Sequence, residues 1–531
     1  LARIDRSGSL STARKLAQAT AILVTAVIAM LALAQLARVQ LDRHLDDRAV
    51  AILGALVHAE TPHRWSPRLP ADIVAARAFG TDQAEFLSTG FRVRSSGQPV
   101  DIGLVIAGAI DLMRFSGFDV GLDAEQPGML SFLVRTDLDG PLCISTGTAF
   151  DPGQSRIRIP LDRLGWTCGG KPAAMPKRAA MLRLRFELPP TAAATLREVE
   201  ARPASPISVD ALERLELPLL PSPREPHDFD RALARIAMNS RSESWPVLQL
   251  PFDGRVEQIL VARDRITATL PDAVIVANGD FPRVASRARL WEPTPATDDS
   301  IVLRSTMLGV YALLLLVLRM RPPLDYRLRA LLELLGVTAV PLGLIVGGFI
   351  GDDIDPLHLA ACAITLLFAL SLLFGGAPAQ PSARTLKRGW WVALGSFALT
   401  LGVVLYMTHG KLPQQLPESS RVLHYAAWAA IQQFLICVIV AERIERVLGS
   451  ASWGLLGAAL VFSLLHTPNA MLMQLTFVAG LIWVWNWQRH RALLANMVAH
   501  AACGLLLTQS LPKEWLHSAE VSARFFLLGG S

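Results

Sequence analysis

Two textures alternate along the chain. Long apolar runs occur near the start and after residue 300, and shorter alternating runs fill the interval between them. The first apolar run is Thr20 to Ala37, preceded by Arg3, Arg6, Arg14 and Lys15. That pattern reads as a signal anchor with its N-terminus in the cytoplasm; a cleaved signal peptide is the alternative. Later runs at 301–320, 329–350, 356–375, 389–408, 421–441, 452–466, 469–487 and 491–509 are long enough to be candidate spans, giving about nine helices with the anchor.

Residues 39–300 contain no such run. Met129 to Arg135 and Met181 to Leu188 alternate apolar and polar residues at period two, as half-buried strands do. Asp151-Pro-Gly153 and Cys168-Gly-Gly170 separate strand-like pieces, so a β-sandwich is expected over roughly residues 85–200. Further on, Pro246 to Leu250 and Ala273 to Ala277 read as strands, and Arg255 to Leu270 between them reads as a helix. That order predicts a small βαβ-like unit.

The expected fold is a polytopic α-helical membrane protein with a large extracytoplasmic β-rich domain after its first helix. That domain combines a β-sandwich-like part with a small α/β part. The expected divisions are a stub and anchor at 1–38, the sandwich at 39–204 and the α/β segment at 205–300. Transmembrane helices follow at 301–420 and 421–510, with a tail at 511–531.

Composition supports a membrane chain. Hydrophobic residues make up 52% and charged residues only 18%, too apolar for an ordinary soluble enzyme. The net charge of +6 is small for this length and forms no basic block, which argues against nucleic acid as a partner. Basic residues instead mark every second loop: Arg319 to Arg329, Arg384 to Arg388, Arg443 to Arg446 and Gln488 to Arg491. The intervening segments Gly351 to Asp355 and Gly410 to Ser420 are not basic. By the positive-inside rule the basic loops face the cytoplasm and residues 39–300 lie outside, in a multi-pass protein of the bacterial inner membrane. Trp390, Trp391, Trp483, Trp485 and Trp487 fit interfacial anchoring. No Cys-x-x-Cys occurs among the five cysteines. Cys143 and Cys168 are the two cysteines of the middle region, where they form either a disulfide or a pair of buried thiols.

Candidate chemistry lies in the last four helices. Polar side chains in a span are costly and so mark candidate functional sites. Gln432 and Gln433 fall mid-span, and His424, Trp428 and Gln432 share a face. His466 ends the next helix, while Asn496 and His500 stand one turn apart on the final one. Amides also act as helix–helix glue, which is the plain alternative for each of them. Glu442, Arg443, Glu445 and Arg446 read as a solvated helix end.

Residues 421–510 resemble the CPBP family of intramembrane proteases, which includes CAAX prenyl endopeptidases and bacteriocin-processing and immunity (Abi) proteins. The family motifs are Glu-Glu-x-x-x-Arg, Phe-x-x-x-His and His-x-x-x-Asn. Phe462 to His466 carries the second, and Ala499-His500-Ala501 leads into the third. The first aligns on Gln432-Gln433-Phe-Leu-Ile-Cys437, with Gln for both Glu and Cys for Arg, and Gly504 stands where the third has Asn.

The resemblance implies an intramembrane endopeptidase acting on a membrane-associated protein or a lipid-modified peptide in the bilayer. Its site would comprise His466, His500, Gln432, Gln433 and Asn496, the last replacing the missing amide. Whether a divalent metal takes part is left open. A glutamine cannot serve as a general base, so a histidine would have to. Three other readings remain at this point: a catalytically inactive relative that binds a partner, a thiol peptidase using Cys437, and a transporter. No internal repeat supports the last.

Overall fold

The computed structural model describes residues 12–526, apart from short stretches at 59, 61–62, 69–72, 107–108, 205–206, 208–216, 240–244, 252, 278, 280, 293–298, 351–355, 376–381 and 412–418. Arg3, Arg6, the acidic segment 351–355 and most of the loop 410–420 therefore lie outside the described residues. Contacts divide the chain into two units, one of residues 1–41 and 296–526 and one of residues 42–295 with the last five.

The first helix, α1, runs over Thr12–Val57, well past the apolar run that predicts it. Leu41, Leu45, Ala49, Leu53 and Leu56 recur at helical spacing and are buried, so an amphipathic stripe carries the helix onward where the apolar composition ends. The boundary expected at residue 38 is thus a change of surroundings within one helix.

In the second unit, strands from Arg64 to Pro203 form two antiparallel sheets of six and eight strands, with Ile110–Asp111 and Arg178–Ala179 pairing separately. One buried cluster draws Phe91, Phe118 and Leu196 from the first sheet and Ile102, Phe132 and Leu184 from the second. Phe118 and Phe132 meet across it at 4.9 Å between ring centroids. Strand structure begins about twenty residues before the expected start at 85. Met181–Glu187 alternates in burial as its sequence predicts, and pairs with Gly128–Arg135, where Leu130 to Val134 are all buried. Cys143 and Cys168 face each other in adjacent strands and are joined by a disulfide, the first of the two alternatives.

The α/β part contains the expected βαβ-like order. Val247–Leu250 and Val274–Ala277 pair in parallel, joined by the helix Val256–Thr269. The helices here are α2 at Pro226–Asn239, α3 at Val256–Thr269 and α4 at Phe281–Arg289, of which the sequence reading foresaw only α3. Asp46 and Asp47 of α1 pair with Arg283 and Arg287 of α4.

The first unit holds α5 at Asp299–Met320, α6 at Tyr326–Val346, α7 at Pro356–Ser371 and α8 at Ala383–Met407. It continues with α9 at Ser419–Gln433, a π-helical segment at Phe434–Val440 and α10 at Ala441–Leu448. Next come α11 at Ala451–Leu464, α12 at Ala470–His490 and α13 at Leu493–Ser510. Among the described residues, seven helical spans, that of α1 included, are long and apolar enough to cross a membrane, as in a multi-pass membrane protein. α7 and α11 are apolar but shorter, so two of the nine expected spans fall below the usual length.

Two further expectations change. Arg443 is not solvated: it is buried, and its Nε meets Glu333 Oε2 of α6 at 2.6 Å. Glu333 is a buried carboxylate before residue 420, where the sequence reading saw no polar residue of note; Arg329, one turn earlier, holds its other oxygen at 2.8 Å. Trp390, Trp391 and Trp485 are exposed as anchors would be, whereas Trp483 and Trp487 are buried.

Candidate functional site

A cavity of about 880 Å³ opens among α6, α7, α8, α9 with the π-helical segment, the turn after α11, α12, α13 and the tail. Leu, Ile and Val side chains dominate its wall. The polar residues that reach it from α9 are Tyr425 and Gln432, seven apart on one face of the helix. His466, His500 and Trp483 reach it from the other elements.

His466 lies just beyond α11. Its Nδ1 is 2.8 Å from the Phe462 carbonyl oxygen, one turn back. A carbonyl only accepts, so Nδ1 carries the hydrogen, and the neutral ring has its lone pair on Nε2. The Phe462 ring stands edge-on between the two histidines, with centroids 5.1 Å from His466 and 5.3 Å from His500. The indole of Trp483 covers His500 at 5.0 Å.

Behind His500 runs a chain of buried polar groups. Gln433 Nε2 donates to His500 Nδ1 at 3.3 Å, while Gln433 Oε1 accepts from the Cys437 thiol at 3.4 Å. The thiol therefore faces the amide and is not on the cavity wall. Because an amide nitrogen only donates, His500 Nδ1 bears no hydrogen in this arrangement. The π-helical turn begins directly after Gln433, and such turns are frequent at functional sites.

Asn496 is fully buried and does not line the cavity. Its Nδ2 donates to the Trp483 carbonyl at 2.7 Å, and its Oδ1 accepts from Asn486 at 2.7 Å. Asn486 also donates to the Gly389 carbonyl at 3.1 Å, tying α8, α12 and α13 together. His424 is exposed and turns back onto the Ser420 carbonyl, so it leaves the face shared by Trp428 and Gln432. Glu442 pairs with Arg491 at 2.6 Å, away from the cavity wall.

The tail completes the site. Ser522 donates from its backbone to the Thr467 carbonyl at 2.7 Å, and Asn469 donates to the Ser518 carbonyl at 2.7 Å. Residues 518–522 are thereby pinned beside His466, and Glu520 and Arg524 reach the cavity. Among the described residues no group of three or more His, Cys, Asp or Glu could share a metal ion. Two histidines without a third such donor fall short of the three protein ligands of a catalytic zinc site.

Residues 423–506 match the family model for type II CAAX prenyl endopeptidase Rce1-like proteins. The match covers the C-terminal region only, from α9 to α13, and contains Gln432, Gln433, His466, Asn496 and His500. No curated protein matches the chain, and no solved structure does.

Gln432, His466 and His500 thus share one cavity, and Gln433 supports His500 from behind. Tyr425, Trp483 and Asn486 escaped the sequence reading. Tyr425 could have been found from its seven-residue spacing to Gln432. Trp483 could not, because an interfacial tryptophan and a cavity tryptophan look alike in sequence.

Proposed function

We propose that the chain is a CAAX-type intramembrane endopeptidase of the bacterial inner membrane, acting on a membrane-associated or lipid-modified peptide. The observation that carries this reading is the opening of His466 Nε2 and His500 onto one apolar cavity, inside the region that matches the endopeptidase family. With no carboxylate at 432 or 433, His466 takes the place of the base. Its Nε2 accepts a proton from water as the oxygen attacks the peptide carbonyl carbon. The Gln432 amide N–H donates to the carbonyl oxygen as that oxygen gains negative charge. The intermediate then collapses, and His466 returns its proton to the leaving amine. Asn496 positions α13, and so His500, without touching substrate.

A second reading has a specific observation behind it. Both positions of the family's paired carboxylates are glutamine, and among the described residues Glu520 is the one carboxylate on the cavity wall, paired with Arg524 at 3.1 Å. A catalytically silent relative would use the same cavity to hold a partner.

Cleavage of a lipid-modified fluorogenic peptide by the full chain in proteoliposomes separates the two. The peptidase reading expects turnover that His466→Ala reduces by about 10²–10⁴-fold, the usual worth of a general base. Absence of turnover in the parent, with turnover appearing in the Gln432→Glu, Gln433→Glu double variant, would establish the silent relative instead.

A further inference from the structure

In the sandwich, Arg77 and Arg183 converge on one aromatic ring. The guanidinium carbon of Arg77 stands 4.9 Å from the Phe79 ring centroid, and that of Arg183 stands 4.3 Å from it. The two charges are therefore no further apart than those two distances together. An aromatic face attracts a cation, but it does not cancel the repulsion between two of them. Among the described residues neither arginine has an ion-pair partner, and Arg183 Nε is buried without an acceptor. The carboxylate opposite Phe79 in the ladder, Asp101, is already engaged: Arg185 holds both of its oxygens, at 2.7 and 3.0 Å.

The eight-stranded sheet builds this arrangement. Arg183 lies on the strand Met181–Glu187 between Leu182 and Leu184, which are buried in the core, so it faces outward. Its cross-strand partner is Gly103, and the next strand, Ile73–Phe79, is the edge of the sheet. A Cβ on Gly103 would lie 2.9 Å from the Val74 Cβ and 3.7 Å from the Arg183 Cγ. The missing side chain lets Val74 and the Arg183 stem lie over that strand. The edge strand is also distorted here. Ile73 pairs with Leu104 and Ala78 with Ile102, so the four residues Val74 to Arg77 stand against Gly103 alone. All four are exposed. Ala75 and Ala76 have φ of 59° and 51°, a left-handed conformation that is unfavourable for alanine. Strain of this kind clusters at binding sites.

We propose that Arg77 and Arg183 form a phosphate-binding site on the outer face of this sheet, with Phe79 as its floor. A carboxylate has two oxygens, which one guanidinium can satisfy in its own plane. A phosphate carries more oxygens around a tetrahedral centre and can meet two guanidiniums at once. The bound anion would offset the repulsion between the two arginines and give the buried Arg183 Nε an acceptor. The site belongs to the other unit from the cavity and does not depend on the peptidase reading.

The test titrates the full chain in non-ionic detergent with inorganic phosphate, succinate and dihexanoyl phosphatidylglycerol, followed by isothermal titration calorimetry. Inorganic phosphate should bind at about 1 mM or tighter, and succinate about tenfold more weakly. Arg77→Gln and Arg183→Gln should each weaken phosphate binding about tenfold, the worth of one charge-assisted hydrogen bond. Arg77 is exposed, so Arg77→Gln carries the test even if Arg183→Gln misfolds. Arg231→Gln removes an arginine already paired with Asp228 and should change nothing. Binding of the lipid about tenfold tighter than inorganic phosphate assigns the site to a headgroup, and equal or weaker binding assigns it to a soluble phosphate; both results support the site. Absence of phosphate binding at about 10 mM, binding that Arg77→Gln leaves unchanged, or succinate bound as tightly as phosphate would overturn it.

Discussion

Asn496 shows how much a residue's neighbours decide. On the sequence it stands one turn from His500 and looks available to a substrate. In the structure the Asn486 amide and the Trp483 carbonyl take both of its polar atoms. Asn496→Ala should therefore lower stability by about 1–3 kcal/mol, the cost of leaving buried amide partners unmade. The melting temperature of the full chain in detergent should fall by several degrees. Turnover per folded molecule should hold, and a loss of turnover at unchanged melting temperature would return Asn496 to the substrate. The histidines and Gln432 were legible because polar groups in spans have few places to go. The buried network around Asn496, drawn from Asn486 and the Trp483 carbonyl, was not. Tyr425 depends on Gly504, 79 residues away in sequence, and no local pattern encodes that contact.

At the scale of elements, the ion pair between α6 and α10 is the clearest addition to the sequence reading. Arg443 sits among Glu442, Glu445 and Arg446, a composition that reads as a solvated helix end. Helical rotation turns Arg443 inward, toward a glutamate over a hundred residues earlier. Glu333→Ala leaves that buried guanidinium unmatched and should cost about 3–5 kcal/mol. Replacing both partners with apolar residues should cost far less, so the double variant should melt well above the single one; equal melting would show that the pair is not coupled. The sandwich was more legible, because period-two alternation maps directly onto strand faces. Its disulfide closes a loop of 25 residues and should stabilise the domain by roughly 3 kcal/mol in the chain-entropy model. Cys143→Ser with Cys168→Ser should lower the unfolding midpoint accordingly, and an unchanged midpoint would show that the bond adds nothing.

For the whole molecule the helix ends predict which compartment holds residues 42–295. The end of α6, the turn after α11 and the tail after α13 are joined through Ser522, which bonds Leu344, Ile350 and Thr467. Those three ends therefore share one side of the bundle. On the other side Arg491 meets Glu442, and Gln488 donates to the Ala451 carbonyl. α11 thus begins beside the end of α12 and finishes beside its start, and so traverses the bundle although it is short. The second side gathers Arg446, Arg489 and Arg491. Burial removes Arg443 from that count, but the asymmetry survives without it. The positive-inside rule predicts that the basic side faces the cytoplasm. On that prediction α5 would carry the chain back into the cytoplasm and residues 42–295 would lie outside, in a compartment where the Cys143–Cys168 disulfide would persist. A reporter active only in the cytoplasm, inserted near Pro221 in the full chain, should stay silent. The same reporter placed after Met320 should be active. The reverse pattern would invert every loop, and would leave the Cys143–Cys168 bond in a reducing compartment where it would not last.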